Sequence, residues 1–230
     1  HPNSYALLHI AGTLEHKLEN YEKAIQLYIE SDRIQPSNYH NLANIGAIYQ
    51  ALGDAEAAAL IYENLIVYHS HQHDAGLYNN YGSLMGVMMH KEEELFWLSK
   101  AYKLNPRMNN VNINLGGFYQ DEGHRNLSRH FLSQAVASSE NSNLLQLRMM
   151  LYVSPIAQSW TQVLRERVSL QRELSDFCSV DNIDNVTKEV LDSSLDRIHF
   201  HLVYHGLFDR DLQQLIVQCY HKYIHNLDAV

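Results

Sequence analysis

Proline and glycine are scarce in this 230-residue chain, with four prolines and ten glycines, roughly half their ordinary combined share. That scarcity excludes collagen-like, linker-like and turn-dense all-β architectures and favours long helices with short connections. Cysteine is nearly absent. Cys178 and Cys219 form no framework and no C-x-x-C pair, so they read as free thiols of a reducing compartment, cytosol or nucleus. Long apolar runs are missing. The best stretch, 55–68, is broken by Glu56, Glu63 and Asn64, so no segment reads as a membrane span. Basic charge is short as well. Seventeen Lys and Arg against 26 Asp and Glu leave a net charge of −9, which disfavours neutralising phosphates, and no nucleic-acid partner is expected. There is no initiator Met and no basic-then-apolar leader at His1, so the chain reads as part of a longer protein. What remains is ample: hydrophobic residues make up 46%, enough for a sizeable core and against wholesale disorder.

The chain repeats itself. Aligned on Gly12, Gly46, Gly82 and Gly116, the spacings are 34, 36 and 34 residues. Sixteen residues past each glycine stand Tyr28, Tyr62, Leu98 and Leu132, and twelve past it Ala24, Ala58, Glu94 and Ser128. Pro36 and Pro106 close the first and third units, where a proline cannot continue a helix. The frames are 5–38, 39–72, 75–108 and 109–142, with His73 and Asp74 as the two extra residues. Gly53 and Gly123 fall at turns between paired helices, and Asp54 reads as an N-cap. A glycine on one helix and a small residue on the next let two backbones approach. Glu15 departs from the pattern in an aromatic slot and Glu94 in an alanine slot, so the first helix pair is expected to fray and the third to pack loosely.

This pattern of small and aromatic positions resembles the tetratricopeptide repeat. The resemblance implies an all-α fold: a right-handed superhelix of four helix-turn-helix units over 1–142, capping helices over 143–178, and an acidic loop with a connector helix over 179–230. Isolated units cannot bury their apolar faces, whereas four stacked ones can.

Three units carry asparagine two residues before the glycine: Asn44, Asn80 and Asn114, with Ile10 in the first unit. In the resembled fold that slot lies on the first helix, which lines the concave face. A side-chain amide offers donors and acceptors together. A ladder of them can grip the backbone of an extended peptide without reading its sequence. Such a ladder is similar to the one in protein O-GlcNAc transferases.

The later residues extend this second resemblance. A helix over 143–153, with 144–151 as its apolar stretch, stops at Pro155, and Ser159-Trp-Thr-Gln162 reads as a capping box. The next helix runs to about Phe177, with Val163, Val168, Leu170 and Leu174 as its partial apolar positions. Residues 197–206 alternate apolar and polar side chains, which by period alone suggests a strand. Residues 209–227 then read as an amphipathic helix, with Leu212, Leu215, Ile216, Cys219 and Tyr223 on one face. The order, with Phe200-His-Leu-Val-Tyr204-His205-Gly206-Leu-Phe-Asp209-Arg210, resembles the join between repeats and catalytic region in O-GlcNAc-transferase-like and SPINDLY-like proteins. That resemblance implies a parent enzyme transferring sugar from a nucleotide donor to Ser/Thr hydroxyls. The chain itself holds no βαβ unit and neither G-x-G-x-x-G nor G-x-x-x-x-G-K-[ST]. No catalytic or cofactor-binding residue is therefore assigned, and the expected partner is a protein or peptide. The alternative is a stand-alone scaffold subunit of a larger assembly.

Other candidates weigh less. His69, His71 and His73 alternate, His199, His201 and His205 cluster, and His221 and His225 are spaced i, i+4. Polar loops and a helix face lacking the H-E-x-x-H glutamate explain them more simply, so no metal is expected. Glu92, Glu93 and Glu94 read as a solvated helix start favoured by the macrodipole.

Overall fold

A computed structural model describes residues 4–36, 39–68, 74–138, 142–151, 159–179 and 210–223, without the side chains of 142–144, 148 and 220–223. Among the described residues there are eleven helices and no strand. They are α1 (Ser4–Lys17), α2 (Tyr21–Ile34), α3 (Tyr39–Ala51), α4 (Ala55–Tyr68), α5 (Ala75–Val87), α6 (Lys91–Leu104), α7 (Asn109–Asp121), α8 (Arg125–Ser138), α9 (Ser142–Leu151), α10 (Trp160–Cys178) and α11 (Arg210–Tyr223). The all-α expectation holds for these residues. The alternating segment 197–206 lies outside them, as do Pro155, the acidic stretch and the clusters at His69–His73 and His199–His205. The side chain of His221 and all of His225 are outside the description too.

The chain divides into two compact units, His1–Pro106 and Arg107–Val230. In the first, three antiparallel helix pairs stack, α2 packing on α3 and α4 on α5. Each pair closes on its glycine. A Cβ at Gly12 would stand 2.8 Å from the Tyr28 ring, one at Gly46 2.8 Å from the Tyr62 ring, and one at Gly82 3.0 Å from Leu98. The absent side chain is therefore the space the facing residue fills. Both tyrosines are fully buried.

All four hairpins turn the same way. The backbone N–H of Asn20, Asp54, His90 and His124 donates to the carbonyl of Glu15, Tyr49, Met85 and Tyr119 in turn, at 2.9, 2.9, 2.9 and 2.8 Å. This helix-ending bond needs a left-handed residue just before the donor. Gly53 (φ 81°) and Gly123 (φ 77°) supply it freely, but Glu19 (φ 59°) and Met89 (φ 63°) hold the same conformation with side chains. Asp54 caps α4 as expected, its Oδ1 accepting from the Ala57 N–H at 3.0 Å.

The first helix pair is formed, with α1 packed on α2. Glu15, in its aromatic slot, accepts from the Asn20 amide at 2.8 Å and pairs with Lys23. Those two partners hold its carboxyl below the usual range, the Lys23 bond contributing most. The third pair is not loose. A Cβ on Gly86 would lie 2.6 Å from Glu94 Oε1, so a second glycine on α5 makes room for the glutamate that replaces alanine on α6. Trp97 fills the remaining space, its ring centroid 5.4 Å from Tyr78 and 5.2 Å from Tyr81, and Lys100 Nζ sits 4.5 Å from the Trp97 centroid.

In the second unit α7 and α8 form a pair, α9 packs on α8 and α10, and α10 packs on α11. Leu147, Met150, Leu151, Leu170, Leu174, Phe177, Leu212, Ile216 and Cys219 make its core. Ser159 caps α10 as expected, accepting from the Gln162 N–H at 3.1 Å. The Gln162 side-chain amide donates to Glu166 at 2.8 Å. Val168 departs from its expected core role and is exposed. The larger correction concerns sulfur. Cys178 and Cys219 are joined in a disulfide with Cα atoms 5.4 Å apart, tying α10 to α11. The two residues are 41 apart in sequence and meet only when the helices pack. The two cysteines are therefore not the free thiols that their spacing suggested.

Candidate functional site: the first helices of the repeats

The asparagines sit where the repeat register puts them, on α3, α5 and α7. All three are half-buried. Asn44 and Asn80 belong to the first unit and Asn114 to the second.

Asn44 and Asn80 have a neighbour in common type, which sequence reasoning missed. Each approaches the tyrosine hydroxyl of the preceding repeat. Burial raises the pKa of the Tyr28 phenol above its ordinary value, and hydrogen bonds to Thr13 and Asn44 offset part of the rise. The Tyr28 hydroxyl donates to Thr13 Oγ1 at 3.2 Å. Burial likewise pushes Tyr62 up strongly, with Asn80 as the offsetting neighbour. The Asn80 contact falls short of full hydrogen-bond geometry at the Tyr62 hydroxyl. The Asn80 carbonyl oxygen also accepts from the Asn79 amide at 3.4 Å. These asparagines therefore face two ways: inward to a buried phenol and outward to the half-exposed helix surface.

More polar ties cross between adjacent repeats of the first unit. Asn41 Oδ1 meets His9 Nδ1 at 2.7 Å, and the Gln50 amide donates to Ser83 at 3.4 Å. Tyr39 donates to Asp74 Oδ1 at 3.0 Å, and the same oxygen caps α5 by accepting from the Leu77 N–H at 2.8 Å. Asp74, one of the two inserted residues, is thus a joint between repeats. Tyr81 donates to Glu63 at 3.0 Å. Burial first, and the neighbouring carboxylates second, push the Tyr39 and Tyr81 phenols well above 10. A sequence signal existed for one of these ties. Asn41 is polar in a slot that is Leu7, Leu77 and Val111 elsewhere, and an amide there needs a partner.

An open hollow of about 640 Å³ beside the first two hairpin turns is lined by Glu19, Asn20, Tyr21, Glu22, Lys23, Ile25 and Leu52. No group of three metal-ligating side chains converges among the described residues. No helix among them is long and apolar enough to cross a membrane. Besides the three asparagines, α3 and α5 carry the half-buried Gln50 and Ser83, and such uncharged polar groups bind amides and carbonyls by hydrogen bonds.

A profile of the tetratricopeptide repeat matches residues 5–38, and the helix pairs of both units share its hairpin geometry. Solved structures with this architecture align along nearly the whole chain. The chain has the tetratricopeptide-repeat fold. PilF of Pseudomonas aeruginosa is 17% identical, with 95% of this chain and 96% of that one covered and a TM-score of 0.61. MamA is 14% identical over 81% of this chain and all of that one, with a TM-score of 0.55. YrrB, a TPR protein with an unusual peptide-binding site, is 12% identical over 76% and 84%, with a TM-score of 0.52. At these identities the likeness establishes the fold alone. No curated protein sequence matches the chain. The tetratricopeptide register also accounts for the pairing above, since the asparagine slot of one repeat faces the aromatic slot of the repeat before it.

Proposed function

We propose that the chain is a protein-interaction module that holds an extended polypeptide along its first helices through Asn44, Asn80 and Asn114. The observation that carries this reading is the recurrence of a half-buried amide at one repeat position on successive first helices. Ser83 and Gln50 on the same helices are also uncharged. A primary amide has two donors and a carbonyl oxygen with two lone pairs. Contact with a tyrosine hydroxyl engages one donor, and the remainder suits the alternating N–H and C=O groups of a peptide backbone. The peptide-binding site of YrrB supports the reading by analogy of fold. The net charge of −9 disfavours a polyphosphate ligand.

The finer reading makes the chain the substrate-recognition arm of an O-GlcNAc-transferase-like protein glycosyltransferase. It rests on the 200–210 element, of which Arg210 alone lies among the described residues. The competing reading is a stand-alone scaffold subunit. The coding frame beyond Val230 separates them: two βαβ halves support the enzyme, and their lack supports the scaffold.

The ladder itself is tested by converting Asn44, Asn80 and Asn114 together to alanine and measuring affinity for extended peptides by fluorescence anisotropy. Three backbone hydrogen bonds at about 0.5–1.5 kcal/mol each predict a loss of roughly tenfold or more. The melting temperature is read alongside, because two of these amides touch buried phenols. Unchanged affinity in a folded triple variant rejects the mechanism.

A further inference from the structure

Within the first unit the outer face of α1 stands out against its counterparts. Leu7 is 67% exposed and Leu14 57%. Their equivalents one repeat on, Asn41 and Ile48, are both fully buried, and in the next repeat Leu77 and Leu84 are at 1% and 0%. The cover in those two cases is the second helix of the preceding repeat: Ala24 and Tyr28 of α2 lie with Ile48, and Tyr62 and Leu65 of α4 with Leu77 and Leu84. Ile10, on the same face of α1, is 54% exposed and stands in the slot held by Asn44 and Asn80. Three large aliphatic side chains on one helix stripe are thus left in solvent at the positions this fold uses for stacking.

We propose that this face of α1 is an open repeat–repeat interface that takes the second helix of a further tetratricopeptide unit carried on the same polypeptide, N-terminal to α1. Continuity of the stacking names the occupant. A second copy of the chain fits less well. Three side chains expose a few hundred Å², well under the roughly 800 Å² per partner of a stable complex. A covalently attached helix needs no such area, because its effective concentration is of millimolar order. The chemistry of the occupant also follows. Asn44 approaches the Tyr28 hydroxyl, whereas Ile10 has no polar group to offer one, which favours an aliphatic residue or phenylalanine opposite it. In the register that Ala24, Tyr28 and Ser31 hold relative to Tyr39, the upstream helix carries a small residue fifteen positions before Tyr5, that apolar residue eleven before, and a small or aliphatic one eight before.

The test compares this 230-residue chain with the natural protein carrying at least one further 34-residue period upstream. Hydrogen exchange of the α1 amides is expected to slow at least tenfold in the longer protein. Leu14→Asp is expected to move the melting temperature of the short chain by no more than about 2 °C, and to lower that of the longer protein by about 6 °C or more. Should the aspartate variant of the longer protein not fold, Leu14→Ala and the exchange rates still decide the matter. An upstream frame without this helix pattern overturns the proposal, as does unchanged α1 exchange. Sedimentation showing a dimer of the short chain that Leu14→Asp dissolves also overturns it, and assigns the face to a second copy.

Discussion

Gly46 and Gly86 are both glycines on first helices of the same unit, yet substitution should separate them. A Cβ at Gly46 meets the Tyr62 ring at 2.8 Å, and that ring is fully buried with no room to swing. A Cβ at Gly86 meets the carboxylate end of Glu94 at 2.6 Å, and Glu94 is half-buried and long enough to move. Gly46→Ala is expected to cost about 1–3 kcal/mol, the usual penalty of an overpacked core, and Gly86→Ala well under 1 kcal/mol. Urea unfolding of the two variants decides it, and equal losses would mean that Glu94 is as fixed as Tyr62. The helix-ending turns allow the reverse experiment. Met89 holds φ 63°, which costs a side chain about 1–2 kcal/mol, while glycine gives back part of that in chain entropy. Met89→Gly should therefore stabilise the protein by about 0.5–1 kcal/mol in thermal melts. At this scale the packing glycines were legible because their spacing recurs. The left-handed strain was hidden at Glu19 and Met89, where no glycine marks it. The asparagine–tyrosine contacts were hidden as well, because a period of 34 residues does not show which slot of one repeat faces which slot of the next.

Between elements, the second unit is held by groups far apart in sequence. Arg125 on α8 pairs with Glu166 on α10 at 3.4 Å, and one turn along, Arg129 pairs with Glu173 at 3.1 Å. Glu166 is almost fully buried and also accepts from Gln162. Glu173 accepts from Ser169 at 2.6 Å. Removing one partner of such a pair strands the other charge away from water. Glu166→Ala is expected to cost about 3 kcal/mol by denaturant titration. Arg172→Ala, which breaks a fully solvated pair with Asp176 at 4.0 Å, should leave stability unchanged within error. If both variants are neutral, the α8–α10 pairs contribute nothing beyond their solvation. The helices themselves were legible: α9, α10 and α11 fall within a few residues of their expected bounds, since caps, prolines and a 3.6-residue period are local signals. Which faces meet was not legible. Val168 reads as core and is exposed, while Glu166 is buried beside Arg125 of α8, some forty residues earlier.

At the scale of the molecule the two units carry different vulnerabilities. The phenols whose pKa burial raises, Tyr28, Tyr39, Tyr62, Tyr78 and Tyr81, all lie in the first. The disulfide lies in the second. A group whose pKa is higher folded than unfolded gives stability that is complete below its unfolded value, here 10, and is lost as pH climbs towards the folded value. Alkali above pH 10 should therefore weaken the first unit. Reduction should weaken the second, since cutting a crosslink between residues 41 apart releases chain entropy worth about 4 kcal/mol. The two tryptophans allow the effects to be read apart. Trp97 is stacked on Tyr78 and tilted against Tyr81 in the first unit, and Trp160 opens α10 in the second. In a Trp160→Phe variant, the fluorescence melt of Trp97 should shift with pH above 10 and ignore dithiothreitol at neutral pH. The circular dichroism melt of the same sample should gain an earlier transition on reduction. Nearest-neighbour coupling sets how far one unit shelters the other. A Trp97 melt that follows the disulfide as closely as the helical signal does would show that the repeats and the α9–α11 core unfold as one cooperative body, and that the division after Pro106 has no energetic counterpart.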